Sequence, residues 1–172
     1  MGEMLYWRQY EPKGSCLTRK VRVTKMGKTE DILRANRKPK EKIVALRDAL
    51  TSKDLSAEEF IQFFKSASDV DKGTCADAMK HVTNEAPEIL AAYIPDLIEF
   101  IDYPTPRVKW GVPEAIGNLS RKYPERVTGA IPRLLKNSGD ESTVIRWCAA
   151  YGLTEIAKNN PETRGELIPL FE

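Results

Sequence analysis

An internal repeat with a period of 37 residues runs through most of this chain. The dipeptides Ile94-Pro95, Ile131-Pro132 and Ile168-Pro169 are each separated by 37 positions. Other prolines, two tryptophans and several small residues keep the same interval: Pro87, Pro124 and Pro161; Trp110 and Trp147; Ala78, Ala115 and Gly152. Agreement at one fixed interval over so many positions is the signature of a repeat architecture. The chain is therefore predicted to stack copies of one supersecondary unit.

Each unit is predicted to contain two helices. Apolar residues of one unit recur at the spacing of a single helix face: Val108, Val112, Ala115, Ile116 and Leu119. A second apolar stripe follows a short break, as in residues 90–101 of the preceding unit. The spacing predicts an all-α fold with helix pairs at about 40–67, 72–102, 107–137 and 144–172.

The first copy of the unit is irregular. Residues 60–64 align with residues 97–101 at the interval of 37, whereas the helix before them aligns at 36. An atypical terminal unit is typical of an end cap, because its outer face meets water. Residues 29–37 are expected to add a short helical turn, and residues 1–25 show no helical or strand periodicity.

Three prolines fall within the second apolar stripe of the units: Pro95, Pro132 and Pro169. Proline removes a backbone hydrogen bond from a helix interior, so we expect each of them to kink the second helix of its unit. Pro113 is expected to bend one first helix in the same way. Kinks at equivalent places would curve the stack without breaking it.

The net charge of +2 hides a split along the chain. Residues 1–42 carry a net charge of +7, and residues 43–172 carry −5. Residues 1–28 are therefore predicted to be an irregular basic arm, either a disordered leader or a segment outside the native protein, with translation starting at Met26 in the second case. The acidic balance of the body makes nucleic acid an unfavourable partner.

The units carry a recurring pattern at residues 108–112 and 145–149. In each, an apolar residue is followed by a basic residue, a tryptophan and two small residues, with a further small residue at Ala115 or Gly152. This pattern resembles the HEAT repeat of the armadillo-like helical superfamily over about 130 residues. The resemblance implies a right-handed α-solenoid of about four HEAT-like helix pairs over residues 29–172. It also implies a non-catalytic scaffold or adaptor that binds another protein, without naming the partner.

Basic residues at the same position of three units form a predicted ladder: Lys72, Lys109 and Arg146. In HEAT proteins such residues usually pair with acidic residues of the neighbouring unit, so the resemblance implies that this ladder is structural. The alternative is that Lys109 and Arg146 contact a partner.

The sequence gives little support for an enzyme, a cofactor or a metal. His81 has no ligand at metal-binding spacing, and we expect it on the surface. Cys75 and Cys148 occupy small inward positions of the repeat and are expected to be buried structural thiols. The longest apolar run is six residues, 89–94, too short for a membrane span. Without a recognisable secretory signal, the expected location is the cytoplasm.

Two tryptophans and a tyrosine are the strongest candidates for partner contacts. Trp110 and Trp147 occupy one position in successive units, and Tyr151 shares a helix face with Trp147. Aromatic side chains dominate binding hot spots, so we predict a contact ridge of Trp110, Trp147 and Tyr151. The competing interpretation is that both indoles pack inside the helix stack.

A second function follows from a further resemblance. Some HEAT-like proteins are DNA glycosylases that remove alkylated bases, and they hold damaged DNA with tryptophan and an acidic residue. Trp110, Glu114 and Trp147 are similar to that arrangement. Phosphate binding requires a basic surface, however, and the repeat body is acidic, so this function is the alternative.

The last unit ends on apolar residues. Ile168, Leu170 and Phe171 are expected at an open end with no polar capping repeat. This arrangement predicts a homodimer through that end, a separate partner, or a truncated fragment.

Overall fold

A computed structural model describes residues 27–170 of the chain, excluding the side chain of Leu170. The described residues form α-helices and short 3₁₀ turns without any strand, which confirms the all-α prediction for this part of the chain. The helices are α1 Lys28–Arg34, α2 Pro39–Thr51, α3 Ala57–Ser66, α4 Asp69–Glu85, α5 Ile94–Glu99, α6 Pro106–Ser120, α7 Ile131–Ser138, α8 Thr143–Asn159 and α9 Pro161–Leu167. Turns of 3₁₀ helix occupy Pro87–Ile89, Ala91–Tyr93, Glu125–Ala130 and Ile168–Leu170. Met26 and most of the basic arm lie outside the described residues.

Four helices lie side by side in the order α2, α4, α6, α8, and we call them the first helices. Each first helix packs against the next one, with the most extensive contacts between α4 and α6 and between α6 and α8. The second segment of each unit packs against these helices, as α7 and α9 do against α8. The helix bounds lie within a few residues of the predicted pairs.

Most of the described helices begin where the sequence supplies a capping side chain or a proline. The Ser56 hydroxyl accepts a hydrogen bond from the Glu59 amide, and Ser68 does the same for Asp71. The side chain of Asn160 accepts from two amides at the start of α9. Such contacts satisfy the amides that have no partner within a helix.

The predicted kinks at three prolines are wrong. Pro95 and Pro132 lie in the first turn of α5 and α7, and Pro169 lies in a 3₁₀ turn. The residues before α5 and α7 form 3₁₀ turns instead of a continuous α-helix. A proline in the first turn removes no helical hydrogen bond, so Ile94-Pro95 and Ile131-Pro132 each start a helix rather than bending one. Pro113 does lie inside α6, as expected.

Ion pairs between units repeat with their charges exchanged. Lys65 contacts Asp96, and Asp102 contacts Arg133. The two residues of each pair are 31 positions apart in the sequence. Asp102 follows Lys65 by 37 residues, and Arg133 follows Asp96 by the same interval. Burial alone would raise the pKa of Asp102, but hydrogen bonds from Lys136 and Arg133 outweigh it and lower that pKa. Because ion pairs near the protein surface contribute little stability, we take this correspondence as a marker of common register between the units.

Glycines set the distance between neighbouring first helices. A Cβ atom built on Gly111 of α6 would lie 2.5 Å from the Ala76 carbonyl oxygen on α4. On Gly117 it would lie 2.9 Å from the Tyr151 ring, and on Gly152 it would lie 3.1 Å from the Pro113 carbonyl oxygen.

No helix among the described residues is both long and apolar enough to cross a membrane.

We expect Gly111→Ala to destabilise the protein by about 2 kcal/mol, because the added methyl group meets main-chain atoms that cannot move alone. The matched control is Gly165→Ala in α9, where an added Cβ meets nothing within 4 Å. That substitution should raise stability by about 0.5 kcal/mol, since alanine favours the helix. Urea unfolding of both variants measures the difference, and equal midpoints would contradict the close approach of α4 and α6.

Candidate binding site

A groove crosses the first helices on one side of the protein. It consists of three adjoining depressions of about 460, 300 and 310 Å³. The first two share Lys40 and Val44, and the second and third share Lys80 and His81. The third depression, which we call the aromatic cleft, is lined by residues of α4, α6 and α8: Lys80, His81, Asn84, Glu114, Asn118, Trp147 and Tyr151.

Trp147 and Tyr151 form one wall of the aromatic cleft. They lie one turn apart on α8, and their rings are nearly parallel, with an interplanar angle of 19° and centroids 6.4 Å apart. Trp147 is 65% exposed. An indole that is this exposed and also stacked presents a large apolar face to solvent in a defined orientation.

The hydroxyl group of Tyr151 is fixed by hydrogen bonds from the neighbouring helix. It donates to Asn118 Oδ1 at 2.8 Å and accepts from Arg121 Nη2 at 3.0 Å. The amide nitrogen of Asn118 donates in turn to the main-chain carbonyl of Lys80 at 3.0 Å. Side chains of α6 therefore join the aromatic pair on α8 to the main chain of α4.

Glu155 holds the arginine of this network. Its carboxylate accepts from Arg121 Nε at 3.0 Å and from Lys158 Nζ at 2.8 Å. Burial would raise the pKa of Glu155, but the hydrogen bonds from Lys158 and Arg121 lower it. The carboxylate is therefore charged at neutral pH, and Arg121 stays in place beside Tyr151.

Glu114 lies in the aromatic cleft with weaker partners. Its Oε1 accepts from the thiol of Cys148 at 3.6 Å, and its Oε2 lies 3.7 Å from Lys80 Nζ. Burial and the nearby Glu114 charge raise the pKa of Cys148 to about 12. The Cys148 thiol therefore stays protonated at neutral pH and acts as a hydrogen-bond donor rather than a nucleophile. Cys75 is also buried, and its pKa is raised by burial.

The structure separates the residues of the predicted ridge. Trp147 and Tyr151 lie together, whereas Trp110 is half-buried and does not line the cleft. The Trp110 indole nitrogen is buried and has no hydrogen-bond partner among the described residues. Contact of these three aromatic residues with a partner stays a prediction.

The basic ladder pairs with acidic residues in one unit out of three. Lys109 Nζ lies 2.7 Å from Asp140 of the next unit, as the HEAT resemblance implied. Lys72 instead donates to the Ala67 carbonyl and lies 5.3 Å from the centroid of Tyr103, which occupies the position of Asp140 in the earlier unit. Arg146 donates to main-chain carbonyls. The expectation of an acidic partner is therefore wrong for Lys72 and Arg146 in the described residues.

Asn118 and Arg121 were not predicted as site residues, although the repeat contains a signal for them. Asn118 and Arg121 follow His81 and Asn84 by 37 residues, and Tyr151 follows Glu114 by the same interval. These positions are spaced as one helix face, and their residue type changes from unit to unit. Variable positions on a shared face therefore identify the groove.

The remaining predictions concern metals and the last unit. In residues 27–170, no group of three or more potential ligands could hold a metal ion. His81 is exposed, as expected.

Ile168 is 47% exposed and borders a depression of about 520 Å³ together with Arg164 and Lys158. Phe171 lies outside the described residues, and dimerisation through this end stays a prediction.

Comparison of the chain with protein-family models, curated proteins and solved structures gives no match. The likeness to HEAT repeats therefore rests on the residues of the repeat.

The two tryptophans are expected to differ in their contribution to stability. Trp147→Ala should lower the free energy of unfolding by no more than about 1 kcal/mol, because the side chain is mostly in solvent and loses only its stacking on Tyr151. Trp110→Ala should cost about 2 kcal/mol or more, because it leaves unfilled space beside the packed helices. Thermal and urea unfolding of both variants provide the measurement, and a large loss of stability in Trp147→Ala would contradict an exposed indole.

Proposed function

We propose that this protein is a non-catalytic helical-repeat scaffold that binds a segment of another protein across the groove. In this proposal the stacked units form a right-handed α-solenoid of the HEAT type. The row of first helices and the common register of the ion pairs support that architecture. The observation that carries the functional proposal is the exposed indole of Trp147, held in a fixed orientation beside Tyr151.

Preorganisation is what makes the aromatic pair suitable for binding. Ordering a mobile side chain at an interface costs about 0.5–1.5 kcal/mol. Tyr151 is already fixed by Asn118 and Arg121, and Trp147 stacks on it, so most of that cost is met during folding. Tryptophan and tyrosine are also enriched among the residues that dominate binding energy.

The groove fits an extended segment rather than a flat surface. Neighbouring packed helices lie roughly 8–10 Å apart, so a groove across four of them spans roughly 25–30 Å. An extended chain covers that distance with roughly eight or nine residues. The groove presents both charges, with Lys40 and Lys80 opposed by Glu41 and Glu114. A protein segment with side chains of mixed character suits such a lining better than a polyanion does.

One observation favours the alternative of a DNA glycosylase for alkylated bases. Trp147 and Glu114 line the same cleft, so an aromatic face and a carboxylate converge there. Trp110, the third residue of the proposed likeness, lies outside the cleft. The mixed charge of the groove provides no continuous basic track for phosphates. We therefore favour the scaffold.

Affinity capture from the source organism tests the scaffold proposal. The full chain should enrich a specific protein by at least about tenfold over Trp147→Ala, because a central aromatic anchor contributes more than 1.4 kcal/mol. Val70→Ala is the control, since Val70 is 73% exposed on α4 but does not line the groove. Quantitative mass spectrometry reads out the enrichment.

Equal enrichment by the full chain and Trp147→Ala would contradict a protein partner at this cleft. Release of bases from methylated DNA that Glu114→Gln abolishes would instead establish the glycosylase.

A further inference from the structure

We propose that the aromatic cleft receives the guanidinium group of an arginine in the bound segment, pairing it with Glu114 and stacking it on Trp147. This inference rests on the proposed function, because it specifies the chemistry of the partner at the same site. It makes Glu114, which the repeat pattern alone does not assign to a protein partner, the residue that selects the guest.

Glu114 has unused capacity as a hydrogen-bond acceptor. The Glu114 side chain is 25% exposed, and the polar contacts of its carboxylate among the described residues are a thiol at 3.6 Å and an ammonium group at 3.7 Å. Neighbouring carboxylates are matched at short range. Asp77 pairs with Arg107 at 2.5 Å, and Glu155 pairs with Arg121 at 3.0 Å. A partly buried carboxylate gains most from a donor that replaces such distant contacts.

Lys80 does not prevent the entry of a second cation. Its ammonium group lies 3.6 Å from Asp77 and 3.7 Å from Glu114, so it is shared between two carboxylates without a short contact to either. When a guest pairs with Glu114, Lys80 retains Asp77. The nearby Arg121 is already paired with Glu155 and directed at Tyr151.

The aromatic wall favours a planar cation. A guanidinium group within about 6 Å of an indole centroid is attracted by the negative face of the ring, and tryptophan is the best partner for this interaction. The same planar group donates two parallel hydrogen bonds to a carboxylate. Lysine supplies only a point charge, and an anionic guest would meet the Glu114 charge. Arginine is the side chain that uses both features of the cleft.

Titration of the full chain with two synthetic peptides tests the proposal. Both are capped and nine residues long, with glycine and serine around one central residue. That residue is arginine in one peptide and citrulline, its uncharged planar analogue, in the other. The indole N–H signal of Trp147, assigned with Trp147→Phe, reports binding by NMR.

The arginine peptide should bind about tenfold more tightly than the citrulline peptide, as one charge-assisted pair provides. Glu114→Gln should remove this preference, because the amide accepts a hydrogen bond without attracting the charge. Glu58→Gln is the control, since it removes the same charge from an exposed position on α3, away from the cleft. It should leave the preference intact.

Equal affinity for the two peptides, or an arginine preference that survives Glu114→Gln, would overturn the proposal. Stronger binding of a peptide with central aspartate, or of a DNA oligonucleotide with an alkylated base, would overturn it as well. The scaffold function stands alone if a captured protein depends on Trp147 while neither peptide shows the arginine preference. Both proposals fail if no captured protein depends on Trp147 and no arginine preference is found.

Discussion

Neighbouring first helices approach each other so closely that glycines meet main-chain atoms, and this approach determines how successive units are placed. Gly111 of α6 lies against the main chain of α4 at Ala76, and Gly152 of α8 lies against the main chain of α6 at Pro113. A side chain at either position would push the helices apart or shift them along each other. Small residues at these contacts therefore fix both the distance and the register of successive units.

The candidate site is a consequence of that register. Gly117 leaves room for the Tyr151 ring, which then reaches Asn118 and Arg121 on the adjacent helix. Because these hydrogen bonds cross from one unit to the next, the aromatic pair keeps its orientation only while α6 and α8 keep their spacing. The repeat therefore places glycines at the helix contacts and an aromatic pair on the surface of the adjoining helices.

Much of the fold was predictable from the sequence, because the interval of 37 residues encodes the helix pairs directly. The site was only partly predictable, since equivalent positions in a repeat do not have equivalent neighbours. Gly73, the counterpart of Trp110 on α4, packs against Arg107 of α6, which shows that this position faces the next first helix. The next first helix after Trp110 is α8, so this tryptophan is half-buried. No further first helix follows Trp147 in the described residues, so its indole is exposed. The same comparison explains the ladder, where Tyr103 replaces the acidic residue that Lys109 finds at Asp140.

A double-mutant cycle between Asn118 and Tyr151 tests most directly whether the site is held by contacts between successive units. The cycle compares the unfolding free energies of the unaltered chain, Asn118→Ala, Tyr151→Phe and the double variant in urea. We expect a coupling of about 1 kcal/mol, since the hydroxyl of Tyr151 and the amide of Asn118 are direct partners. If the losses of the two single variants add within about 0.3 kcal/mol, the two side chains do not interact, and contacts between successive units do not hold the site.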